Sequence, residues 1–427
     1  MISDSLEGRG HTWVCVLAGG IGSRFWPAST PEAPKPLLPL ASDRPLLSDT
    51  LARARRLTDP DHIRILAGPH LVEPFTRATP GLDVSDFWIE PAARGTGPVL
   101  AWAAWQVLQS DPDGVLVSLH SDHVIEPEDA FGDLLGKAVQ VAAEQRQLVT
   151  IGAVPDRPET GYGYLQPGAE LGDGGARTVA AFHEKPDVAT ARRYLDEGFL
   201  WNTGIFVWRA DVLLEEIRAH SPEIAPALER LAEGRDDAFF AEVEPVSIDV
   251  AVLERSRRVV CLASTFRWDD VGTWDALART RSADEKGNVV VGEGQVFDAH
   301  GNIVWSEGGR IVLWGVDDLV AVQANGMTLV FPRQRAPDLK QLLDKLFIGD
   351  EEDSFLSGVD IAESRRGATG LTEQLPRRPE DVIDLPQGSW LAAWRRSPQL
   401  VPPPKPCAAC GGELFWSPGC DGGPYLC

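Results

Sequence analysis

A glycine-rich stretch that also carries two basic side chains is the part of the sequence whose residue types most directly suggest chemistry. Residues 13–40 read WVCVLAGGIGSRFWPASTPEAPKPLLPL. Without a Cβ atom, glycine lets backbone N–H groups approach an anion closely; the glycines here are Gly19, Gly20 and Gly22. Arg24 and Lys35 follow, and their charged groups together with backbone donors suit the triphosphate of a nucleotide.

The common phosphate-binding signatures do not describe this loop. A Walker A motif needs Gly-Lys-Ser/Thr at a set spacing, and a dinucleotide-binding loop needs glycine where Phe25 stands. The apolar run from Trp13 to Ala18 predicts a buried strand that ends at the glycines. On the glycines alone, a tight turn between a strand and a helix is an equally good interpretation, so the basic residues carry the functional one.

The segments LAGGIGSRFWP and PKPLLPL resemble the signature of the sugar-1-phosphate nucleotidyltransferase family. The Trp26-Pro27 pair is most similar to that of mannose-1-phosphate guanylyltransferases. Ser23 stands where the family commonly has threonine, and it keeps the hydroxyl group. The resemblance implies that this loop binds the nucleotide, with contacts from Leu17, Gly19, Gly20, Gly22 and Ser23.

A second segment, EPAARGTGP at 90–98, is similar to the family element that contacts the guanine base. The resemblance implies nucleotide contacts from Glu90, Arg94 and Thr96. Gly95 and Gly97 replace the asparagine and alanine of the family pattern, which leaves the base preference open. The structural alternative is a loop that starts the following helix, since proline is common in a first helical turn.

Two aspartates are the candidates for holding a metal ion. Asp122 ends the apolar run VLVSLHSD, and Asp270 precedes Val-Gly, as in the family's Asp-x-Gly metal element. One or two carboxylates with phosphate oxygens and water are sufficient for Mg²⁺, although an isolated Asp after a strand is usually a cap or turn residue. Asp269 is read as a supporting or solvent-exposed residue. His120 and His123 are read as structural, because Mg²⁺ prefers oxygen ligands.

The middle of the chain carries candidates for sugar recognition. The segment ETGYGYLQ at 159–166 combines glycines with two tyrosines, which suits close backbone approach and ring stacking on a sugar. A carboxylate and an amide offer hydrogen bonds to hydroxyl groups, and an ammonium group neutralises phosphate. The candidates are Tyr162, Gly163, Glu184 and Asn202 for the sugar and Lys185 for its phosphate.

Simpler interpretations of these sugar candidates stay open. The 159–166 segment also has the composition of a glycine-rich hairpin, and an exposed Glu-Lys pair is ordinarily solvated surface. The segment SIDVAVLE at 247–254 resembles a further family element, in which Asp249 is expected to cap or support the pocket.

The alternation of apolar runs with amphipathic segments predicts an α/β domain over residues 11–283. Strands are predicted within 62–68, 87–91, 115–122 and 147–154, and helices within 98–110 and 127–145. This order indicates a Rossmann-like, mostly parallel sheet covered on both faces. Ligands bind beyond the carboxyl ends of strands in such sheets, and the candidate residues tend to follow predicted strands.

The rest of the chain changes in character. Short β-like runs with frequent turns predict a small all-β domain over 286–346, which ends in a helix at 337–346; the resemblance implies a β-helix-like form. Residues 347–406 read as an acidic, proline-containing linker. The tail at 407–427 has four cysteines that match a tetrahedral Zn²⁺ site, namely Cys407, Cys410, Cys420 and Cys427. A redox pair or unliganded thiols are the alternatives.

Composition restricts the class of protein. The 427 residues are 43% hydrophobic and 24% charged, as in soluble globular proteins. A net charge of −23 without a long basic stretch argues against nucleic-acid binding. No apolar stretch approaches the roughly 20 residues that span a membrane, and the first residues lack a signal-peptide pattern. We therefore expect a cytoplasmic protein, and we consider a homodimer as its assembly.

The resemblance implies transfer of GMP from GTP to mannose 1-phosphate, with Mg²⁺ as cofactor and GDP-mannose and pyrophosphate as products. The implied catalytic group consists of Arg24, Lys35, Asp122, Lys185 and Asp270. Two alternatives stay open. One is a sugar-1-phosphate nucleotidyltransferase that uses another base or hexose, and the other is a non-catalytic regulatory paralogue that binds sugar nucleotide.

Overall fold

The computed structural model describes residues 9–20 and 22–346, apart from the side chains of residues 9 and 173. The linker predicted at 347–406 and the cysteine-rich tail predicted at 407–427 lie outside the described residues. Within them, the strands are β1 Thr12–Leu17, β2 Ile63–Ala67, β3 Phe87–Ile89, β4 Val115–His120, β5 Val124–Glu126, β6 Leu148–Ala153, β7 Gly163–Leu171, β8 Ala176–Glu184, β9 Leu200–Arg209, β10 Val259–Ala263, β11 Arg267–Asp269, β12 Val289–Phe297, β13 Ile303–Trp314, β14 Leu319–Ala324 and β15 Met327–Pro332.

The α-helices of the same ranges alternate with the strands in the first part of the chain and become rare in the second. They are α1 Leu46–Ala54, α2 Pro69–Ala78, α3 Thr96–Ser110, α4 Glu128–Gln145, α5 Val188–Asp196, α6 Ala210–His220, α7 Leu228–Ala232, α8 Asp236–Glu242, α9 Leu277–Thr280 and α10 Leu339–Leu346. Short 3₁₀ turns separate several of them, and a single π-helical turn spans Asp249–Leu253.

The largest sheet has the strand order β3-β2-β1-β4-β9-β6-β10-β8-β7. The pairings of β1 with β2 and β4, of β2 with β3 and of β6 with β10 are parallel. Strand β9 is antiparallel to β4, β6 and β7, and β8 is antiparallel to β7 and β10. All strands except β8 and β9 therefore share one direction, which confirms the mostly parallel α/β sheet.

Both faces of this sheet are buried, because successive side chains of a strand point to opposite faces. Along β1, Val14 and Val16 join a core that also contains side chains from α1, α2 and α4. Cys15 and Leu17 join the opposite core with side chains from α3 and α6. Both Cys15 and Cys261 are buried free thiols.

A two-stranded sheet lies between the two predicted metal carboxylates. Strand β11 pairs antiparallel with β5, with Trp268 opposite Ile125 and Asp269 opposite Val124. Asp122 lies two residues before β5, and Asp270 directly follows β11. The pairing of these two short strands therefore brings together side chains that are far apart in the sequence.

A separate four-stranded sheet follows, with the order β12-β13-β14-β15. Its first three strands pair in parallel, and β15 returns antiparallel to β14. One face packs on the glycine-rich loop and on the region around Trp274. Trp305 of β13 lies 5.4 Å from the Trp274 ring, and Trp274 lies 5.1 Å from the Phe25 ring. This aromatic cluster joins the second sheet to the loop that follows β1.

Most predicted elements agree with the structure, and two differ. The hairpin formed by β7 and β8 turns at Gly172–Gly174, after the predicted 159–166 segment, because left-handed backbone occurs at Gly172 and Gly175 instead. The last helix begins at Leu339 after a 3₁₀ turn and not at residue 337. In the described part of the chain, no helix is long and apolar enough to cross a membrane.

Candidate active site

The glycine-rich loop leaves β1 at the carboxyl edge of the sheet and is fixed there by backbone hydrogen bonds. The Ala18 N–H donates to Leu66 O at 3.0 Å, and the Ser121 N–H donates to Leu17 O at 3.0 Å. The bonds hold Leu17 between β2 and the segment that carries Asp122. The predicted nucleotide loop and the predicted metal carboxylate are therefore neighbours across adjacent parallel strands.

The glycines of the loop differ in what the fold demands of them. Gly22 has φ 75° and precedes the 3₁₀ turn Ser23–Phe25, and a Cβ atom there would overlap the side-chain stem of Lys35. By contrast, Gly19 and Gly20 are exposed, and a Cβ atom at Gly20 would meet nothing within 4 Å. The protein itself therefore needs glycine at 22, whereas the openness at 20 leaves room for a ligand.

Lys35 links the two aspartates that are predicted to bind the metal. Its buried ammonium group lies 2.7 Å from Asp122 Oδ2 and donates to the backbone oxygen of Asp270 at 2.7 Å. Burial raises the pKa of Asp122, but the positive charge of Lys35 opposes this most strongly, and the net shift lowers the pKa to about 2. Asp122 is therefore ionised at neutral pH and held beside a fixed positive charge.

Asp270 lies in a strained and crowded turn. The Tyr162 hydroxyl donates to Asp270 Oδ1 at 2.5 Å, and Val271 adopts left-handed backbone with φ 47°. Such a conformation is unusual for a β-branched residue and tends to occur at functional sites. Burial raises the pKa of Asp270, while Lys35 and the Tyr162 hydroxyl oppose the shift.

Two histidines also border Asp122. Potential ligand atoms of His120, Asp122 and His123 lie within 4.8 Å of one another. The Trp268 indole donates to His123 Nδ1 at 3.1 Å, so this nitrogen already accepts a hydrogen bond. Burial lowers the pKa of both histidines, which keeps the imidazoles neutral. Asp122 thus lies between Lys35 and two neutral imidazoles.

Asp269 is a buried support for Asp270, which excludes the solvent-exposed alternative. Its side chain is 3% exposed and accepts the Val271 N–H at 2.8 Å and Arg279 Nε at 2.6 Å. Arg157 Nη2 lies 3.7 Å from the same carboxylate. These two arginines fix the turn after β11, and no motif in the sequence pointed to them.

Glu90 lies beside the glycine-rich loop. It follows β3, is 8% exposed, and its Oε1 would be 3.5 Å from a Cβ atom at Gly19. Burial raises the pKa of this carboxyl to about 7. Glu90 forms no ion pair with another described residue, and its carboxyl group lies beside Gly19.

The rest of the 90–98 segment is anchored to the chain between α8 and the π-helical turn. Arg94 Nε donates to Phe240 O at 2.8 Å, and the Ile248 N–H donates to the Thr96 hydroxyl at 2.9 Å. Cβ atoms at Gly95 and Gly97 would lie 2.7 and 2.9 Å from Val246 O. The two glycines that depart from the family pattern therefore permit close backbone packing here.

The sugar candidates form a second group at the ends of β7, β8 and β9. Asn202 Nδ2 donates to Asp249 Oδ1 at 2.7 Å. A Cβ atom at Gly163 would lie 2.7 Å from Glu184 Oε2, so glycine allows this carboxylate to lie over the strand. Burial, reinforced by the charge of Glu184, raises the pKa of Asp249 to about 6, although Asn202 opposes the shift.

The two tyrosines of the 159–166 segment have different positions. Tyr164 is fully buried and donates to Glu159 O at 2.8 Å, so its ring cannot stack on a sugar. Tyr162 packs edge-on against Trp201 and Trp268, with ring centroids 5.2 and 5.1 Å apart, and its hydroxyl holds Asp270.

Two predicted phosphate ligands lie at the surface. Lys185 has φ 45° and an exposed ammonium group 2.6 Å from Glu184 Oε1. Arg24 is exposed and forms no ion pair with another described residue. Lys35, Asp122, Asp270 and Tyr162 are thus directly connected, whereas these two cations are available for an incoming anion.

Comparisons with known proteins agree with this arrangement. The nucleotidyl transferase family model matches residues 14–287. A mannose-1-phosphate guanylyltransferase of Salmonella muenchen is 36% identical over 345 residues, which cover 78% of this chain and 72% of the relative. A mannose-1-phosphate guanylyltransferase of Escherichia coli K12 is 35% identical over 349 residues, which cover 78% and 72%.

A solved structure extends the comparison to three dimensions. The crystal structure of a mannose-1-phosphate geranyltransferase from Thermus thermophilus has a TM-score of 0.73 and 32% identity. The match covers 79% of this chain and 99% of that one. The family match over more than half of the sequence and these relatives, together with the loop and the carboxylates described above, show that the chain belongs to the nucleotidyl transferase family.

Proposed function

We propose that this protein transfers GMP from GTP to mannose 1-phosphate, which gives GDP-mannose and pyrophosphate. The relatives at 34–36% identity that are named mannose-1-phosphate guanylyltransferases support the choice of substrates. The observation that carries the proposal is the joining of Lys35 to Asp122 and Asp270 beside the open glycine loop. Nucleotidyl transfer depends on such positioning and charge neutralisation more than on a covalent nucleophile.

In the proposed reaction, an oxygen of the sugar phosphate attacks the α-phosphorus of GTP and the bond to pyrophosphate breaks. The N–H groups of Gly19, Gly20 and Gly22 with Arg24 hold the triphosphate and receive the charge of the leaving pyrophosphate. Lys35 neutralises charge near the α-phosphate, because its ammonium group is fixed between two carboxylate residues. Glu90 lies next to Gly19 and is proposed to accept hydrogen bonds from the base.

Asp122 and Asp270 are the proposed ligands of Mg²⁺. The donor set fits a hard cation, because both contribute carboxylate oxygens. A buried carboxyl whose pKa is raised by burial, as for Asp270, is also stabilised by a nearby positive charge. When bound, Mg²⁺ would neutralise phosphate charge and orient the reacting groups. Tyr162 holds Asp270, and Lys35 holds Asp122 in its ionised form.

The sugar phosphate is proposed to bind on the β7–β9 side of the site. Glu184 accepts hydrogen bonds from the sugar hydroxyl groups, and the Asn202 amide can both donate and accept them. Asp249 fixes the orientation of this amide. Lys185 is exposed and exchanges its present partner Glu184 for the phosphate of mannose 1-phosphate. Gly163 lets the Glu184 carboxylate lie close over the backbone of β7, which sets its position for the sugar hydroxyl groups.

A matrix of nucleoside triphosphates and hexose 1-phosphates, scored by pyrophosphate release, tests this proposal. The expected result is that GTP with mannose 1-phosphate gives the highest kcat/KM. Another best pair would identify a relative with a different base or hexose, which is the alternative that Gly95 and Gly97 left open. An inactive matrix with intact binding of GDP-mannose would identify the regulatory paralogue and overturn catalysis.

We further propose the division of the chain into a nucleotidyltransferase domain at 11–283, a β-helix-like domain at 286–346, a linker at 347–406 and a zinc-binding tail at 407–427. The zinc assignment is tested by measuring the metal content of the full wild-type chain and of its Cys407→Ser variant. We expect one Zn²⁺ per chain in the wild type and none in the variant. A cytoplasmic homodimer is proposed for the assembly, and analytical ultracentrifugation measures its mass.

A further inference from the structure

A polar cavity of about 470 Å³ lies beside the two-stranded sheet, outside the site described above. Its walls carry three arginines, Arg267, Arg279 and Arg281, together with Glu126 and the hydroxyl-bearing Thr280 and Ser282. None of the residues assigned to the nucleotide, the sugar or the metal lines it. Small-molecule sites commonly have volumes of about 300–1,000 Å³, so the cavity has room for a small ligand.

The charge of the cavity wall is opposite to that of the whole protein. The lining side chains comprise three guanidinium groups and one carboxylate, whereas the chain carries a net charge of −23. Arg279 and Arg281 also pair with aspartates outside the lining, so Arg267 carries the charge that no aspartate or glutamate of the described residues balances. Guanidinium groups present a planar set of donors that matches phosphate oxygens. Two neighbouring hydroxyl groups can add hydrogen bonds to the same anion. This combination selects a small anionic ligand.

The arginines of the wall are not fully used by the protein. Arg267 is exposed and donates to the backbone oxygen of Arg279, and among the described residues it pairs with no carboxylate. Arg281 pairs with the exposed Asp43 and donates from Nη2 to the backbone oxygens of Pro39 and Ser42. Its Nε is buried without a hydrogen-bond partner among the described residues. Arg279 is paired with Asp269 and Asp275, so Arg267 is the guanidinium group that loses least when an oxyanion binds.

We propose that Arg267, Arg279 and Arg281 form a binding site for a small phosphate-bearing anion, separate from the substrate site. Arg267 supplies a guanidinium group that pairs with no carboxylate of the described residues, and Arg281 supplies a second one at the loop around residue 43. Thr280 and Ser282 supply hydroxyl donors. The ligand class is a phosphate or a small phosphate monoester, because the cavity is polar and of limited size.

The position of this anion site suggests a regulatory role, which rests on the proposed metal site. Arg279 lines the cavity and also holds Asp269, next to the metal ligand Asp270. Arg267 lies opposite Glu126 in the register of β11 with β5, the strands that adjoin both proposed metal aspartates. An anion that draws Arg279 away from Asp269 changes the turn after β11, so anion and metal binding are coupled, and such coupling is reciprocal.

Binding of inorganic phosphate and of glycerol 2-phosphate to the full chain, without GTP, sugar phosphate or metal, tests the site directly. Phosphorus NMR line widths report the bound fraction. Arg267→Gln is expected to weaken binding about tenfold, the loss of one charge-assisted contact. Arg310→Gln, an exposed arginine of β13, is the matched control and is expected to bind as the wild type does.

Two further variants separate the outcomes. Arg24→Gln removes a proposed triphosphate contact, so binding that persists in this variant but is lost in Arg267→Gln supports the new site. Arg267→Lys keeps the charge and is expected to retain intermediate affinity, which separates a charge effect from misfolding. Equal binding by wild type and Arg267→Gln, or no binding by the wild type, overturns the proposal.

The coupling has its own readout in the proposed reaction. Phosphate is expected to shift the Mg²⁺ concentration that gives half-maximal activity in the wild type and in Arg310→Gln, and not in Arg267→Gln. An equal shift in all three proteins overturns the coupling, since phosphate then acts on the metal or the substrate site alone. Failure of catalysis in every protein contradicts the proposed function and not the anion site, whose binding assay needs no turnover.

Discussion

At the scale of single residues, the account depends most on Lys35. Its ammonium group is buried and lies 2.7 Å from both Asp122 Oδ2 and Asp270 O. Lys35→Met keeps the length of the side chain and removes the charge, so we expect kcat to fall by about 10²–10³. Steady-state kinetics measure this, with the exposed Lys137→Met as control. Near-normal turnover of Lys35→Met would contradict the role in charge neutralisation.

Glu90 gives a prediction on pH dependence. Burial raises its pKa from 4.5 to about 7, so ionisation is less favourable in the folded than in the unfolded protein. The contribution to stability is therefore full below pH 4.5 and is lost as pH rises through 7. The shift corresponds to about 3 kcal/mol.

The Glu90→Gln side chain cannot ionise. As the pH rises from 4.5 to 8, we therefore expect the free energy of unfolding of the variant to increase relative to that of the wild type by up to about 3 kcal/mol. Urea unfolding of both proteins at each pH measures the difference, and other titrating groups cancel in it. A difference between wild type and variant that does not change with pH would mean that folding does not raise the pKa of Glu90.

At the scale of elements, the glycine-rich loop separates structural from ligand-binding glycines. Gly22→Ala would strain a left-handed residue and overlap the Lys35 stem, so we expect a loss of stability of about 1–3 kcal/mol and reduced kcat. Gly20→Ala meets no neighbour, so its stability should stay within about 0.5 kcal/mol while the KM for GTP rises.

Thermal unfolding and GTP kinetics of the two variants measure this contrast. A Gly20→Ala variant that loses stability, or that keeps the wild-type KM for GTP, would show that the open side of this loop does not face the triphosphate.

The sequence allowed much of this loop and of the parallel sheet to be predicted, because both leave local patterns. The apolar run before Gly19 and the alternation of apolar with amphipathic segments over 62–154 can be recognised from residues that are close in the sequence. The contacts of Arg157 and Arg279 with Asp269 could not be predicted, since they join distant segments and isolated arginines carry no spacing signal. For the same reason, the burial of Tyr164 and the packing of Gly95 on Val246 became evident only in the fold.

At the scale of the whole molecule, the four-stranded sheet packs against the loop that follows β1. Trp305 is 2% exposed and packs on Trp274, which contacts Phe25 and donates to Trp26 O at 3.3 Å. Asn325 Nδ2 also donates to Pro27 O at 2.8 Å. The β sheet is thus attached to the loop that carries the proposed triphosphate contacts.

Trp305→Ala should therefore lower both stability and activity. Removal of a buried aromatic side chain costs about 3–5 kcal/mol, and the loosened Trp274 should raise the KM for GTP. Trp305→Phe, which preserves an edge-to-face contact, should lose less of both. Urea unfolding and kinetics at a temperature where all proteins are folded measure the effects. An unchanged KM in a destabilised Trp305→Ala would show that the sheet contributes to folding alone.

The most direct test of the central claim is the formation of GDP-mannose by the purified full chain from GTP, mannose 1-phosphate and Mg²⁺, compared with Asp270→Asn. We predict stoichiometric GDP-mannose and pyrophosphate from the wild type, no product without a divalent metal, and a loss of about 10²–10³ in kcat for the variant. Wild-type protein that binds both substrates and yields no GDP-mannose, or an Asp270→Asn variant with unchanged turnover, would contradict the account.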